Sequence, residues 1–145
     1  IAFAFDLFGP PDAIDSSAVV GPTGVDEQCA VLFRYDDGLQ VVWHASLRAD
    51  AGRTCVLAGP NGRLRGTRAW WKGAPFQLTR ADGPTDTWAR PYAGNGYQFE
   101  AAHVMKCLRE GRTESPAMPL DESRRLLHTA DALRADWGVS YPQEA

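Results

Sequence analysis

The spacing of apolar residues changes once along this chain, and that change does most to limit its fold. From residue 12 to about residue 90, apolar positions tend to alternate with polar ones, the period of extended strand. From residue 95 onward they recur every three or four residues, the period of amphipathic helix. Strands grouped first and helices last is the α+β order, in which an open, mostly antiparallel sheet carries helices packed on one face.

The clearest local pattern is a hairpin. Residues 28–35 place Cys29, Val31, Phe33 and Tyr35 on one face. Asp36-Asp37-Gly38 then supplies residues that tolerate the positive φ of a tight turn. Residues 39–47 alternate again, with Leu39, Val41, Trp43, Ala45 and Leu47 facing one way and Gln40, Val42, His44 and Ser46 the other. Upstream, residues 1–8 read as the end of a helix stopped by Gly9-Pro10-Pro11. Residues 12–20 are extended and closed by Gly21-Pro22-Thr23-Gly24. Downstream, further strands are expected over 53–58, 63–67 and 76–80, interrupted by Trp70-Trp71-Lys72-Gly73 and closed by Asp82-Gly83-Pro84.

In the helical third, Asn95 is the expected N-cap, with Gln98 completing a capping box. Tyr97, Ala101, Val104, Met105 and Leu108 form the apolar stripe expected to cover the sheet, and Gly111 ends the helix. Ser115-Pro116 and Met118-Pro119 read as an extended linker. A second helix starts near Leu120 or Asp121, buries Leu126, Ala130, Leu133 and Trp137, and stops at Gly138. Residues 139–142 form a short extended tail.

At 145 residues the chain is about the size of one domain and long enough to bury a core. Its 15 basic and 18 acidic residues give a charge of −3, with no broad basic face for nucleic acid and no cluster for an anionic membrane. Its three cysteines, Cys29, Cys55 and Cys107, are widely spaced. They form no C-x-x-C, so they read as buried free thiols in a reducing, cytoplasmic setting rather than as disulfides or a zinc site.

Little catalytic chemistry is visible in the residues themselves. His44, His103 and His128 are isolated, and no two histidines stand at i, i+4, so the expectation for metal is none. Gly94-Asn95-Gly96 precedes a helix but lacks the remainder of a dinucleotide fingerprint, and reads as a hinge and cap. Arg63, Arg65 and Arg68 make a short basic strip. Trp70 and Trp71 cannot both face the same side of a strand, so one is free to face a pocket or a partner. The second face of the hairpin mixes Ala30 and Val42 with Gln28, Gln40, His44 and Ser46. That mixture is too apolar for plain solvent and suits a subunit interface.

The run from Gly94 through Gly96-Tyr97-Gln98-Phe99-Glu100-Ala101-Ala102-His103-Val104, then Cys107-Leu108-Arg109-Glu110-Gly111, Glu114-Ser115-Pro116, Met118-Pro119-Leu120-Asp121-Glu122-Ser123, Trp137-Gly138 and Tyr141-Pro142, resembles the end of a Gfo/Idh/MocA-family oxidoreductase. Phe8-Gly9-Pro10-Pro11 and the Asp36-Asp37-Gly38 hairpin fit the same family, and its dihydrodiol dehydrogenase and xylose dehydrogenase branch is the most similar. The resemblance implies that residues 1–145 are a single C-terminal domain with substrate and oligomerisation roles. It further implies that a Rossmann domain binding NAD or NADP, a catalytic lysine motif and an Asp-x-Gly-x-His/Tyr run belong to a longer parent, since none of these is in this chain. The chain also lacks an initiator Met and opens within an apolar segment, which fits the same expectation.

On this reading the parent transfers a hydride between a sugar or diol hydroxyl carbon and nicotinamide. The chain alone is inactive, binds no cofactor and contributes no catalytic residue. Asn95, Tyr97, Tyr92 and Trp71 are its candidate substrate contacts, by stacking and hydroxyl hydrogen bonding. Gln28, Ala30, Gln40, Val42 and His44 are its candidate contacts with a second copy. The competing readings are a free-standing module that holds an apolar small molecule between Trp43, Phe33 and the helices, and a protein-interaction domain whose function is the mixed sheet face.

Overall fold

The computed structural model describes residues 1–67 and 69–141. Arg68, the third member of the basic strip, and Pro142 of the expected tail lie outside the described residues. The elements are α1 (Ala2–Phe8), β1 (Ala13–Val20), β2 (Asp26–Arg34), β3 (Gln40–Ser46), β4 (Cys55–Gly59), β5 (Gly62–Gly66), a 3-10 turn (Trp70–Lys72), β6 (Phe76–Arg80), β7 (Thr85–Trp88), α2 (Tyr97–Arg109) and α3 (Leu120–Asp136). The class is α+β, and every paired strand is antiparallel. The strands form one sheet of three and one of four. The chain divides into two compact units: residues 1–51 with 116–145, and residues 52–115.

The first unit is built on the sheet β1-β2-β3. Its register aligns Ile14, Phe33 and Val41 across the three strands, then Ser16, Val31 and Trp43, then Ala18, Cys29 and Ala45. Because side chains alternate along a strand, these rows share one face. That face carries the core: Phe33 is 0% exposed, and Val31, Ala4, Phe5 and Leu133 are buried with it. Phe33 meets Phe5 at 6.0 Å and the edge of Trp43 at 6.1 Å between ring centroids. Full burial of one such side chain stabilises by about 1.5–3 kcal/mol. Gly9 at φ 75 stops α1, as expected from Gly9-Pro10-Pro11.

α3 presents the expected stripe, with Leu133 buried and Leu126, Ala130 and Trp137 half-buried. The hairpin is where expected, with one correction: Leu47 does not share the core face but is 82% exposed. The ladder ends at Ser46, and Leu47 keeps only a backbone N–H to Glu27 O bond.

The second unit contains the meander β4-β5-β6-β7. Leu57, Leu64 and Leu78 align across one face. Phe76 and Trp88 stack beside them at 6.5 Å, and the edge of Trp70 meets Phe76 at 6.4 Å. Gly66 permits this: a Cβ there would lie 2.7 Å from Cys55 Sγ and 2.8 Å from Trp70 Cβ. β4 begins at Cys55, later than the expected residue 53, because Arg53 sits at φ 51, outside the extended region. β7 was not expected at all; Thr85–Trp88 is exposed throughout and leaves no alternation to read.

The main correction concerns α2. Its expected stripe does not cover a sheet: Tyr97 is 71% and Leu108 69% exposed, and Ala101, Val104 and Met105 are exposed too. The side of α2 turned inward carries Cys107, its one buried residue, with His103 half-buried a turn earlier.

Candidate functional site

The four residues expected to line a substrate pocket lie in the second unit. Trp71 follows Trp70 in a 3-10 turn entered through Ala69 at φ 57 and left through Gly73 at φ 72. The two indoles meet edge to face at 5.8 Å, and Trp71 is half exposed. Tyr92 reaches back to this turn and donates its hydroxyl to Trp71 O at 3.3 Å. Its ring packs edge-on against Phe99 of α2 at 5.2 Å. Tyr92 therefore links the tryptophan turn to the start of α2, where Asn95 and Tyr97 sit.

That helix start uses the expected groups one position along. Gly96, at φ 97, is the N-cap in place of Asn95. Asn95 Oδ1 accepts the Tyr97 N–H at 3.3 Å, and Gln98 Oε1 accepts the Gly96 N–H at 3.1 Å. Gln98 Nε2 also donates to Ala93 O at 2.7 Å. The Tyr97 ring projects outward. This turn does not fit a dinucleotide: Asn95 and Gln98 already take the Tyr97 and Gly96 amides that a pyrophosphate would need, and Phe99 N–H goes to Gly96 O. No parallel strand pair feeds it among the described residues.

The expected interface residues come together on the open face of the first unit's sheet. Across the strands, Ser17, Ala30 and His44 form one row, Asp15, Leu32 and Val42 the next, and Ala13, Arg34 and Gln40 the third. Gln28 pairs with Ser46, whose hydroxyl donates to Gln28 Oε1 at 3.4 Å. Val42 is 72% exposed, and Gln28, Ala30, Gln40 and His44 are exposed as well. A shallow hollow of about 320 Å³ lies over the small residues Ser17 and Ala30, bordered by His44, Ser46 and Ala49. Arg34 Nε donates to Asp15 Oδ2 at 2.7 Å on the same face, a solvated pair that adds little stability by itself.

On the opposite face, Phe33 packs against Phe5, Val31 and Leu133 in the core, with Trp43 partly buried beside them. The cysteines are free. Burial pushes the Cys29 and Cys55 thiols up from their ordinary range, as expected of inert packed thiols.

One group escaped the sequence reading. His103 Nε2 lies 2.7 Å from Ser115 Oγ and 3.5 Å from Cys107 Sγ. The signal was present, since His103 and Cys107 stand four apart on one helix, but a search for paired histidines passes over it.

No protein-family model matches the chain. Over 99% of its length it is 30% identical to trans-1,2-dihydrobenzene-1,2-diol dehydrogenase of Mus musculus and 29% identical to that of Homo sapiens. It spans 45% of the length of each of these curated relatives. The chain is homologous to the C-terminal domain of Gfo/Idh/MocA-family oxidoreductases. The aldose-aldose oxidoreductase of Caulobacter crescentus, solved as a complex with glycerol, shares the fold of this chain with a TM-score of 0.74. That match has 16% identity and covers 92% of the domain and 42% of the solved chain. No helix of the domain, among the described residues, is long and apolar enough to cross a membrane.

Proposed function

We propose that this chain is the substrate-side and oligomerisation domain of an NAD(P)-dependent oxidoreductase that acts on a sugar or diol hydroxyl. The observation that carries this is the alignment of nearly the whole chain with under half of each dihydrodiol dehydrogenase. The cofactor and the catalytic lysine belong to the other half of such a protein, which supplies hydride acceptance and proton transfer at the hydroxyl carbon.

Within this domain, Trp71 supplies an exposed indole for stacking against a sugar or an apolar diol ring. Tyr92 supplies a hydroxyl bonded to Trp71 O, and Asn95 and Tyr97 supply amide and hydroxyl groups at the start of α2. The outward apolar side of α2, including Val104, Met105 and Leu108, is the surface that meets the cofactor-binding half. The open face with Gln28, Ala30, Gln40, Val42 and His44 meets a second copy. The free thiols fit a cytoplasmic protein.

Calorimetric titration of the chain with NAD and with NADP tests the division of labour. The expected result is no binding, and no oxidation of sugars or diols. Micromolar affinity for either nucleotide overturns it.

A further inference from the structure

We propose that Trp88, Asp86 and Arg80 form a second sugar subsite, joined through Phe76 and Trp70 to the exposed indole of Trp71, so that this surface takes an oligosaccharide rather than a single sugar. It rests on the Trp71 contact proposed above only at its inner end.

The sheet register builds the surface. Phe76, Leu78 and Arg80 alternate onto one face of β6, and Trp88 and Asp86 stand opposite Phe76 and Leu78 on β7. The Phe76 and Trp88 rings lie within 19° of parallel, 6.5 Å apart. Trp70 stands over Gly66 of β5 on the same face and meets Phe76 at 6.4 Å. Trp71 meets Trp70 at 5.8 Å. Trp70, Phe76 and Trp88 thus cross three successive strands. Two strand spacings, about 10 Å, separate the first from the last. That is more than one sugar ring covers, and a chain of two or more rings spans it.

The two ends of this ring series are open to solvent. Trp70 and Phe76 are half-buried, whereas Trp71 is 50% and Trp88 43% exposed. β7 is the last strand of its sheet among the described residues, so no neighbouring strand covers the outer side of the Trp88 indole. An indole placed for stability alone would be turned inward, because apolar area left in water contributes nothing to folding. A flat apolar ring, backed by Phe76 and open on its outer side, suits stacking against the C–H face of a sugar.

The polar groups beside Trp88 select the ligand. Arg80 Nη1 donates to Asp86 Oδ2 at 2.6 Å, on the same face and two residues along β7 from Trp88. Both side chains are about half exposed, so the pair adds little stability. Held in this way, Asp86 keeps Oδ1 as an acceptor and Arg80 keeps further N–H donors. A sugar presents both chemistries at once: an apolar C–H face for the indole, and a rim of hydroxyls for a carboxylate and a guanidinium. A wholly apolar ligand would leave the pair unused, and an anionic one would meet the Asp86 carboxylate.

Calorimetric titration of the full chain with glucose, cellobiose and cellotriose, and with maltose and maltotriose, tests the subsite. In one series affinity should rise with length, the trisaccharide binding at least about tenfold tighter than glucose. Trp88→Ala should remove that gain, and Trp88→Phe, which keeps a ring, should retain most of it. Asp86→Ala should weaken the trisaccharide as well. Val56→Ala, on the opposite face of the same sheet, should change nothing. Trisaccharides of both series that bind no tighter than glucose, or a gain that survives Trp88→Ala, overturn the proposal. Trp71→Ala reads the inner contact separately: glucose binding that it leaves unchanged removes the Trp71 reading, while a gain that requires Trp88 upholds the outer subsite.

Discussion

Trp137 donates its indole Nε1–H to Ser16 Oγ at 2.9 Å, across 121 residues of sequence. The bond joins the end of α3 to β1 on the core face of the first sheet. Removing the acceptor leaves a partly buried N–H without its partner. Ser16→Ala should therefore cost about 0.5–1.5 kcal/mol, and Trp137→Phe should cost more, since packing is lost too. Urea midpoints of the two variants check the order.

Leu133 is 2% exposed and packs in the cluster with Phe33 and Val31. Leu133→Ala should cost about 2–5 kcal/mol by lost transfer energy and residual cavity. Leu127, on the exposed side of the same helix, is the control; Leu127→Ala should fall within about 0.5 kcal/mol of the parent chain. Equal effects at the two positions would show that the helix presents another side to the core.

Stability should decline in mild alkali. Burial raises Cys29 from the ordinary thiol value of 9.0, an effect Asp26 adds to and a backbone hydrogen bond from Ala45 opposes. Cys55 is raised in the same way, against a backbone hydrogen bond from Gly66. A raised native value means that the folded chain keeps a proton the unfolded chain loses. The contribution is complete below about pH 9 and is lost as pH climbs from 9.0 through the raised values. Thermal melts at pH 7 and pH 10 should differ, and the difference should shrink in a Cys29→Ala, Cys55→Ala double variant.

If the open face pairs with a second copy, Val42→Glu should separate the pair. A two-fold contact would bury two unpaired carboxylates near its centre. Sedimentation over a concentration series should show association in the parent chain and a monomer in the variant. A parent chain that stays monomeric at tens of micromolar, on the order of weak association, would leave this face to solvent.

The hairpin was legible because two independent signals agreed there: alternation through Val31 and Phe33, and a turn written as Asp36-Asp37-Gly38. Leu39 N–H bonds Asp37 Oδ1 at 3.0 Å in that turn, the local chemistry expected of Asp. The phase of α3 was legible for a similar reason, since its stripe has one partner surface. α2 was not. Periodicity reveals a stripe but not what lies against it, and the stripe of Tyr97, Ala101, Val104, Met105 and Leu108 is exposed. The link between Tyr92 and Trp71 was equally invisible, because it joins two irregular segments whose meeting no spacing rule encodes. At the start of α2 the sequence named the right groups, Asn95 and Gln98, and missed only the residue they cap.

The first unit is assembled from two separated stretches of chain, residues 1–51 and 116–145, with the second unit contained in between. On a ribosome this order has a price in time. Phe33 emerges about a hundred residues before Leu133, a wait of roughly 5–20 s at ordinary elongation rates. During that interval the hairpin that carries Phe33 has no α3 to cover it, while residues 52–115 already have every strand of their own sheet. The second unit can close before α3 is made; the first cannot. A nascent chain stalled before α3 would expose Val31, Phe33 and Trp43 together, the surface a holdase chaperone would be expected to bind.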